Sequence, residues 1–145
     1  MLPRKTNGTH SILCYTNMGR AVNEGETMSI VMVVEDDKNT ARLLRILFEL
    51  EGCDVLTASN YEQVMPLLCQ ETPDVLLTDV QIQGCRTIDL IRQMRREKTL
   101  AHIPVVMTSA ADYYNECLRA GADLFVLKPF LPDELVQTVL GLLDQ

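Results

Sequence analysis

The sequence predicts an α/β domain, a doubly wound parallel sheet with helices on both faces. Three observations lead to it. From residue 29 onward, short β-rich apolar runs alternate with segments of helical period. The runs are apolar at nearly every position, as strands covered on both faces are. Acids, hydroxyls and a lysine follow these runs, at the carboxyl ends of strands where open α/β sheets form their sites.

Each element follows from its residues. Ile30–Val34 (IVMVV) is strand 1. Residues 39–50 place Leu43, Leu44, Leu47, Phe48 and Leu50 at helical spacing, and Gly52 ends that helix. Asp54–Ala58 (DVLTA) is strand 2, and Ser59 or Asn60 can cap a helix running to about Gln70. Pro66 falls inside this helix and should kink it or lie in its first turns. Residues 75–78 form strand 3. Residues 87–97 carry Ile88, Leu90, Ile91 and Met94 on one helical face, with Arg92, Arg95 and Arg96 read as a solvated face. Residues 104–108 (PVVMT) form strand 4, residues 112–120 a helix closed by Gly121, Leu124–Leu127 (LFVL) strand 5, and Pro132–Leu143 a last helix with Pro in its first turn.

Residues 1–28 lack a sustained period and read as a flexible N-terminal extension, with 29–145 as the domain. The net charge is −7, and residues 1–28 contribute +1 of it, so the domain is strongly acidic. That argues against nucleic acid or anionic lipid as a direct partner and for a cation or a basic protein surface. Trp is absent and aromatics are sparse, so no stacking platform for bases is evident. No apolar stretch approaches the ~18 residues of a membrane span. Five cysteines without C-x-x-C spacing point to reduced, buried thiols in a cytoplasmic protein.

The strand ends carry the chemistry. Glu35, Asp36 and Asp37 follow strand 1, Asp79 follows strand 3, Thr108 and Ser109 end strand 4, and Lys128-Pro129 follows strand 5. Carboxylates gathered at one rim repel unless a cation sits between them. All-oxygen donors suit a hard ion, and Mg²⁺ bridges carboxylates and phosphate oxygens. A carboxylate beside such an ion can attack a phosphoryl group and form an acyl phosphate. Lys128 and a hydroxyl from Ser109 or Thr108 would hold the transferred oxygens. Asp37 is better explained as a solvated loop charge or a helix N-cap.

Four such pieces in this order resemble a response regulator receiver domain, the phosphoacceptor module of two-component signalling. The matching segments are VVEDD, PDVLLTD, PVVMTSA and AGADLFVLKPF. The resemblance implies the flavodoxin-like strand order 2-1-3-4-5. It implies Glu35 and Asp36 as the metal-binding acidic pair and Asp79 as phosphoacceptor and metal ligand, with the backbone carbonyl of Gln81 as a further ligand. It makes Ser109 the switch hydroxyl and Thr108 a strand residue. Lys128 binds phosphate, Pro129 follows a cis peptide bond, and Phe125 is the aromatic that reports activation. Residues 81 and 111, here Gln and Ala, would tune the lifetime of the phosphoryl group.

The pattern departs from the family after the acceptor. Ile82, Gln83 and Thr87 replace the usual Met, Pro and Gly, with Gly84 available for a turn and Thr87 to cap the third helix.

The resemblance further implies a stand-alone receiver of the chemotaxis or sporulation-relay type, a phosphoacceptor and not an enzyme acting on external substrates. It would be loaded by a sensor histidine kinase or a histidine phosphotransfer protein. It would signal to a downstream protein through the face made by helix 4, strand 5 and helix 5, with Tyr113, Tyr114 and Phe130 nearby. Three alternatives remain. A degenerate receiver would act as a scaffold without phosphorylation, although the full residue set argues against it. A haloacid-dehalogenase-type phosphohydrolase would need a second Asp at position 81, where Gln stands. A flavin carrier would need a phosphate-cradling loop where Glu35, Asp36 and Asp37 stand.

Overall fold

The computed structural model describes residues 28–144, together with the strands Leu13–Tyr15 and Ala21–Asn23. Those two strands pair antiparallel within the segment read as an extension. The rest of the expectation for residues 1–27 lies outside the described residues.

The central sheet has five parallel strands: β1 (Ile30–Val34), β2 (Asp54–Ala58), β3 (Val75–Asp79), β4 (Val105–Ser109) and β5 (Leu124–Leu127). Their order across the sheet is β2-β1-β3-β4-β5. The helices between them are α1 (Lys38–Leu50), α2 (Tyr61–Glu71), α3 (Ile88–Arg96), α4 (Tyr114–Ala120) and α5 (Pro132–Leu143). Fold class and strand order are as expected from the sequence.

Alternation of side chains along the strands gives the sheet two apolar faces. Met32, Val34, Leu76, Val105 and Met107 face a core shared with α2, α3 and α4, including Val64, Leu68, Ile91, Met94 and Cys117. Val31, Val33, Val75, Leu77 and Val106 face the opposite core, closed by Leu44 and Phe48 of α1 and Leu135, Val136 and Val139 of α5. The central strands β1 and β4 are buried end to end, but the edge strand β5 is not, and Leu127 is exposed. A strand with one neighbour cannot be covered as fully as one with two.

Local chemistry sets the helix ends. Asp37 caps α1, accepting from the Asn39 N–H at 3.1 Å and the Thr40 hydroxyl at 2.8 Å, one of the two roles its sequence context allowed. Asn60, not Ser59, caps α2 by accepting from the Gln63 N–H. Pro66 lies in the middle of α2, where it removes one internal hydrogen bond. Helix α4 starts two residues later than expected, because Asp112 accepts from the Tyr114 N–H before the helix begins.

Three expectations need correction. Thr87 stands at the N-cap position of α3 but makes no cap bond; its hydroxyl donates instead to the carbonyls of Asp79 at 2.7 Å and Val80 at 3.2 Å. Arg95 does not belong to a solvated face. Its guanidinium donates to the carbonyls of Gly121, Ala101 and Ile103 and pairs with Asp123, stitching the end of α3 to the loops that lead into β4 and β5. Finally, only Cys53 and Cys117 of the described cysteine side chains are buried, while Cys69 and Cys85 are exposed.

Candidate functional site

Strand register builds the rim. Val34 is aligned with Thr78, so Glu35 and Asp79 leave neighbouring strands at the same level. Asp79 is aligned with Thr108, and Ser109 with Leu127, which brings the residue after β5 to the same edge. The Lys128 N–H then donates to the Ser109 carbonyl at 2.8 Å. The Lys128–Pro129 peptide is cis, as the resemblance implied.

At this edge the Lys128 ammonium donates to Asp79 Oδ2 at 2.5 Å and lies 3.5 Å from Glu35 Oε1. Burial lowers the lysine's pKa, but the hydrogen bond and charge of Asp79, aided by Glu35, outweigh it, and the net shift is upward. Glu35 is only 6% exposed. Burial raises its pKa against the opposing pull of the Asp37 N–H and Lys128, with Asp79 and Asp36 adding to the rise. The Asp79 side chain at the tip of β3 is thus paired with a lysine from the loop that follows β5.

Asp79, Gln81, Ser109, Ala110, Ala111, Tyr113 and Lys128 line an open recess of about 280 Å³. Ser109 Oγ accepts from the Ala111 N–H at 3.2 Å, so the hydroxyl is held on the recess wall. Thr108 is a strand residue, as expected. The Gln81 N–H donates to Asp79 Oδ1 at 3.3 Å. Phe125 lies outside the recess on β5, its ring edge-on to Tyr114 with centroids 6.4 Å apart.

The departures after Asp79 form a small ribbon. Residues 81–82 pair antiparallel with residues 85–86, and the turn between them is Gln83 at φ 50° and Gly84 at φ 80°. Two successive left-handed residues are what a two-residue hairpin of type I′ requires. Gly84 thus restores the turn. The Gln83 N–H donates to Asp36 Oδ2 at 2.9 Å, tying the ribbon to the acidic pair. The sequence reading missed this ribbon; the left-handed demand of the turn was visible only as Gly84.

The donor chemistry fits a hard divalent cation. Glu35, Asp36 and Asp79 offer only oxygen, and one lysine cannot neutralise three carboxylates. As they stand, however, no three acidic, histidine or cysteine side chains among the described residues are gathered into a ligating cluster. Lys128 is bound to Asp79, and Asp36 is bound to the ribbon.

A doubly wound sheet with this acid-and-lysine rim defines a CheY-like signalling domain rather than a nucleotide- or flavin-binding one. Residues 31–140 match the model of the response regulator receiver domain family, and the chain belongs to that family. It is 30% identical over 109 residues to the phosphate regulon transcriptional regulatory protein PhoB of Pseudomonas aeruginosa, covering 73% of this chain and 48% of that protein. It is 34% identical over 112 residues to the DNA-binding response regulator MtrA of Mycolicibacterium smegmatis, covering 75% and 48%. The chain spans about half the length of these curated relatives.

Among solved structures, a putative response regulator from Chloroflexus aurantiacus superposes with a TM-score of 0.75 at 27% identity, covering 82% of this chain and all of that one. Chemotaxis response regulator CheY4 of Vibrio cholerae superposes with a TM-score of 0.74 at 21% identity, covering 80% and 99%, which speaks for the fold. The chain is thus a receiver domain of two-component signalling. No described helix is long and apolar enough to cross a membrane.

Proposed function

We propose that this receiver accepts a phosphoryl group on Asp79 from a sensor histidine kinase or a histidine phosphotransfer protein, in the cytoplasm, and passes the signal to a protein target. One observation carries the reading: Asp79 opens into a recess with Ser109 on its wall and the Lys128 ammonium 2.5 Å from its carboxylate. An Asp79 oxygen attacks phosphorus, the bond from phosphorus to the donor breaks, and its electron pair leaves with the donor. Lys128 then exchanges its carboxylate partner for a phosphoryl oxygen, and the Ser109 hydroxyl donates to another. Glu35, Asp36, Asp79 and the Gln81 carbonyl would hold Mg²⁺. The ion supplies charge neutralisation as negative charge builds on the transferred group.

The phosphoryl group biases the domain toward a second arrangement of α4, β5 and α5, in which Phe125 leaves its present contact with Tyr114. A phosphorylation-independent scaffold is the second reading. The engagement of Asp36 by the Gln83 N–H, which draws one of the acids to the ribbon, favours it.

Intact mass separates the two. The full chain is incubated with a small acyl phosphate and Mg²⁺, with and without chelator, beside Asp79→Ala. A single adduct that needs both Mg²⁺ and Asp79 is expected. An adduct that persists in Asp79→Ala would overturn the site assignment. No adduct under any condition would leave the scaffold reading.

A further inference from the structure

Arg86 ends the ribbon that follows the acceptor strand, directly before Thr87, whose hydroxyl holds the Asp79 carbonyl. Its side chain leaves the ribbon for α4. There the guanidinium pairs with Glu116 and lies 5.1 Å from the centroid of the Tyr113 ring. Tyr113 also lines the acceptor recess. A single cation therefore touches both the start of α4 and a wall of the site. Helix α4 spans only 7 residues, its N-cap residue Tyr113 makes no side-chain cap bond, and it buries only Cys117 and Ala120. So short a helix does not hold itself in water and depends on outside contacts for its place.

We propose that Arg86 is a positioning residue, which clamps α4 to the acceptor's own loop and holds Tyr113 as one wall of the recess. The clamp stands on this geometry alone; the consequence for the wall rests on the phosphoacceptor reading. In hydrolysis of the acyl phosphate, a water oxygen bonds to phosphorus while the bond from phosphorus to the Asp79 oxygen breaks. The electron pair returns to the carboxylate, and the water's protons stay with the released dihydrogen phosphate. A fixed Tyr113 narrows the approach of that water, so Arg86 lengthens the life of the adduct.

The clamp has a signature that packing alone would lack. The Arg86 and Glu116 side chains are 45% and 46% exposed, so their attraction is screened by salt. An exposed ion pair and a cation–π contact together correspond to about three- to tenfold in an equilibrium.

The test uses the full chain with Arg86→Ala, Arg86→Glu and the charge swap Arg86→Glu/Glu116→Arg. Hydrogen exchange of the amides at 114–120 is measured without phosphodonor, and adduct decay is followed by intact mass after loading with a small acyl phosphate. Arg86→Ala is expected to speed both by about three- to tenfold. In wild type, raising salt from ~50 mM to ~0.5 M should speed both, with little effect in Arg86→Ala. The charge swap should restore slow exchange that Arg86→Glu loses. Wild-type exchange in Arg86→Ala, or a swap no slower than Arg86→Glu, overturns the clamp whether or not any adduct forms. Wild-type adduct decay in Arg86→Ala overturns the wall. A wild-type chain that takes no adduct overturns the phosphoacceptor reading and the wall together, while exchange still decides the clamp.

Discussion

Glu35 shows how one residue can serve a site at the expense of the fold. Burial raises its pKa, so the folded protein holds its proton more tightly than the unfolded chain does. The stability linked to that proton is fully present below the ordinary glutamate pKa of ~4.3 and is lost as pH rises through the raised folded value. Glu35→Gln should remove this fall and be more stable than wild type at neutral pH; urea melts across pH 4 to 8 check both. Lys128 has the same sign, since its folded pKa is raised. Its contribution is present at neutral pH and is lost only as pH rises through the folded value, above the ordinary lysine pKa of ~10.4. Asp37 has the opposite sign. The Thr40 hydroxyl and the Asn39 N–H lower its pKa, so its contribution is lost in acid.

The elements around Asp79 are set by backbone geometry as much as by side chains. Gly84 at φ 80° has open space where a Cβ would sit, so Gly84→Ala meets only the left-handed backbone cost. That is about 1 kcal/mol. Gly121 differs. Its φ is 117°, and an added Cβ would lie 2.7 Å from the Cγ of Arg95, the side chain that stitches α3 to the α4–β5 loop. Gly121→Ala should therefore cost more than Gly84→Ala, and denaturant midpoints of the two variants measured side by side check the order. Pairing of the ribbon with Asp36 makes Gly84→Ala informative about the site as well, because a disturbed turn would release the Gln83 N–H from the acid.

At the scale of the whole molecule, two cores on opposite faces of one sheet hold the rim. Phe48 is fully buried in the α1–α5 core. Phe48→Ala should cost about 3–5 kcal/mol, a large part of a typical domain's stability. Its thermal melt should drop accordingly, with the rim lost only on global unfolding. The conformational response also belongs to this scale. Lys128 comes from the loop between β5 and α5, so the change of partner proposed for it on phosphorylation would pull on the face expected to signal. Lys128→Ala should still take up phosphoryl, at a reduced rate, but uncouple it. Hydrogen exchange over residues 114–143 should then change on loading in wild type and not in the variant.

The sequence by itself determined the five strands and five helices of the doubly wound domain, their alternation and the identity of the rim residues. Apolar runs and helical periods depend on neighbours in the chain, and parallel crossovers bring all strand ends to one edge. Glu35, Asp36, Asp79, Ser109 and Lys128 were legible for that reason, and Asp37 was narrowed to a cap or a solvated charge. What depended on partners distant in the chain was not legible. Arg95 looked like part of a basic surface because nothing local marks Gly121, Ala101 and Ile103 as its acceptors. Thr87 looked like a cap because the carbonyl of Asp79, eight residues back, returns to it only through the ribbon. Arg86 had no visible role until α4 was laid beside it, 30 residues along the chain. Tertiary structure alone decided these contacts, since a long side chain takes its partner from whatever the fold brings within reach.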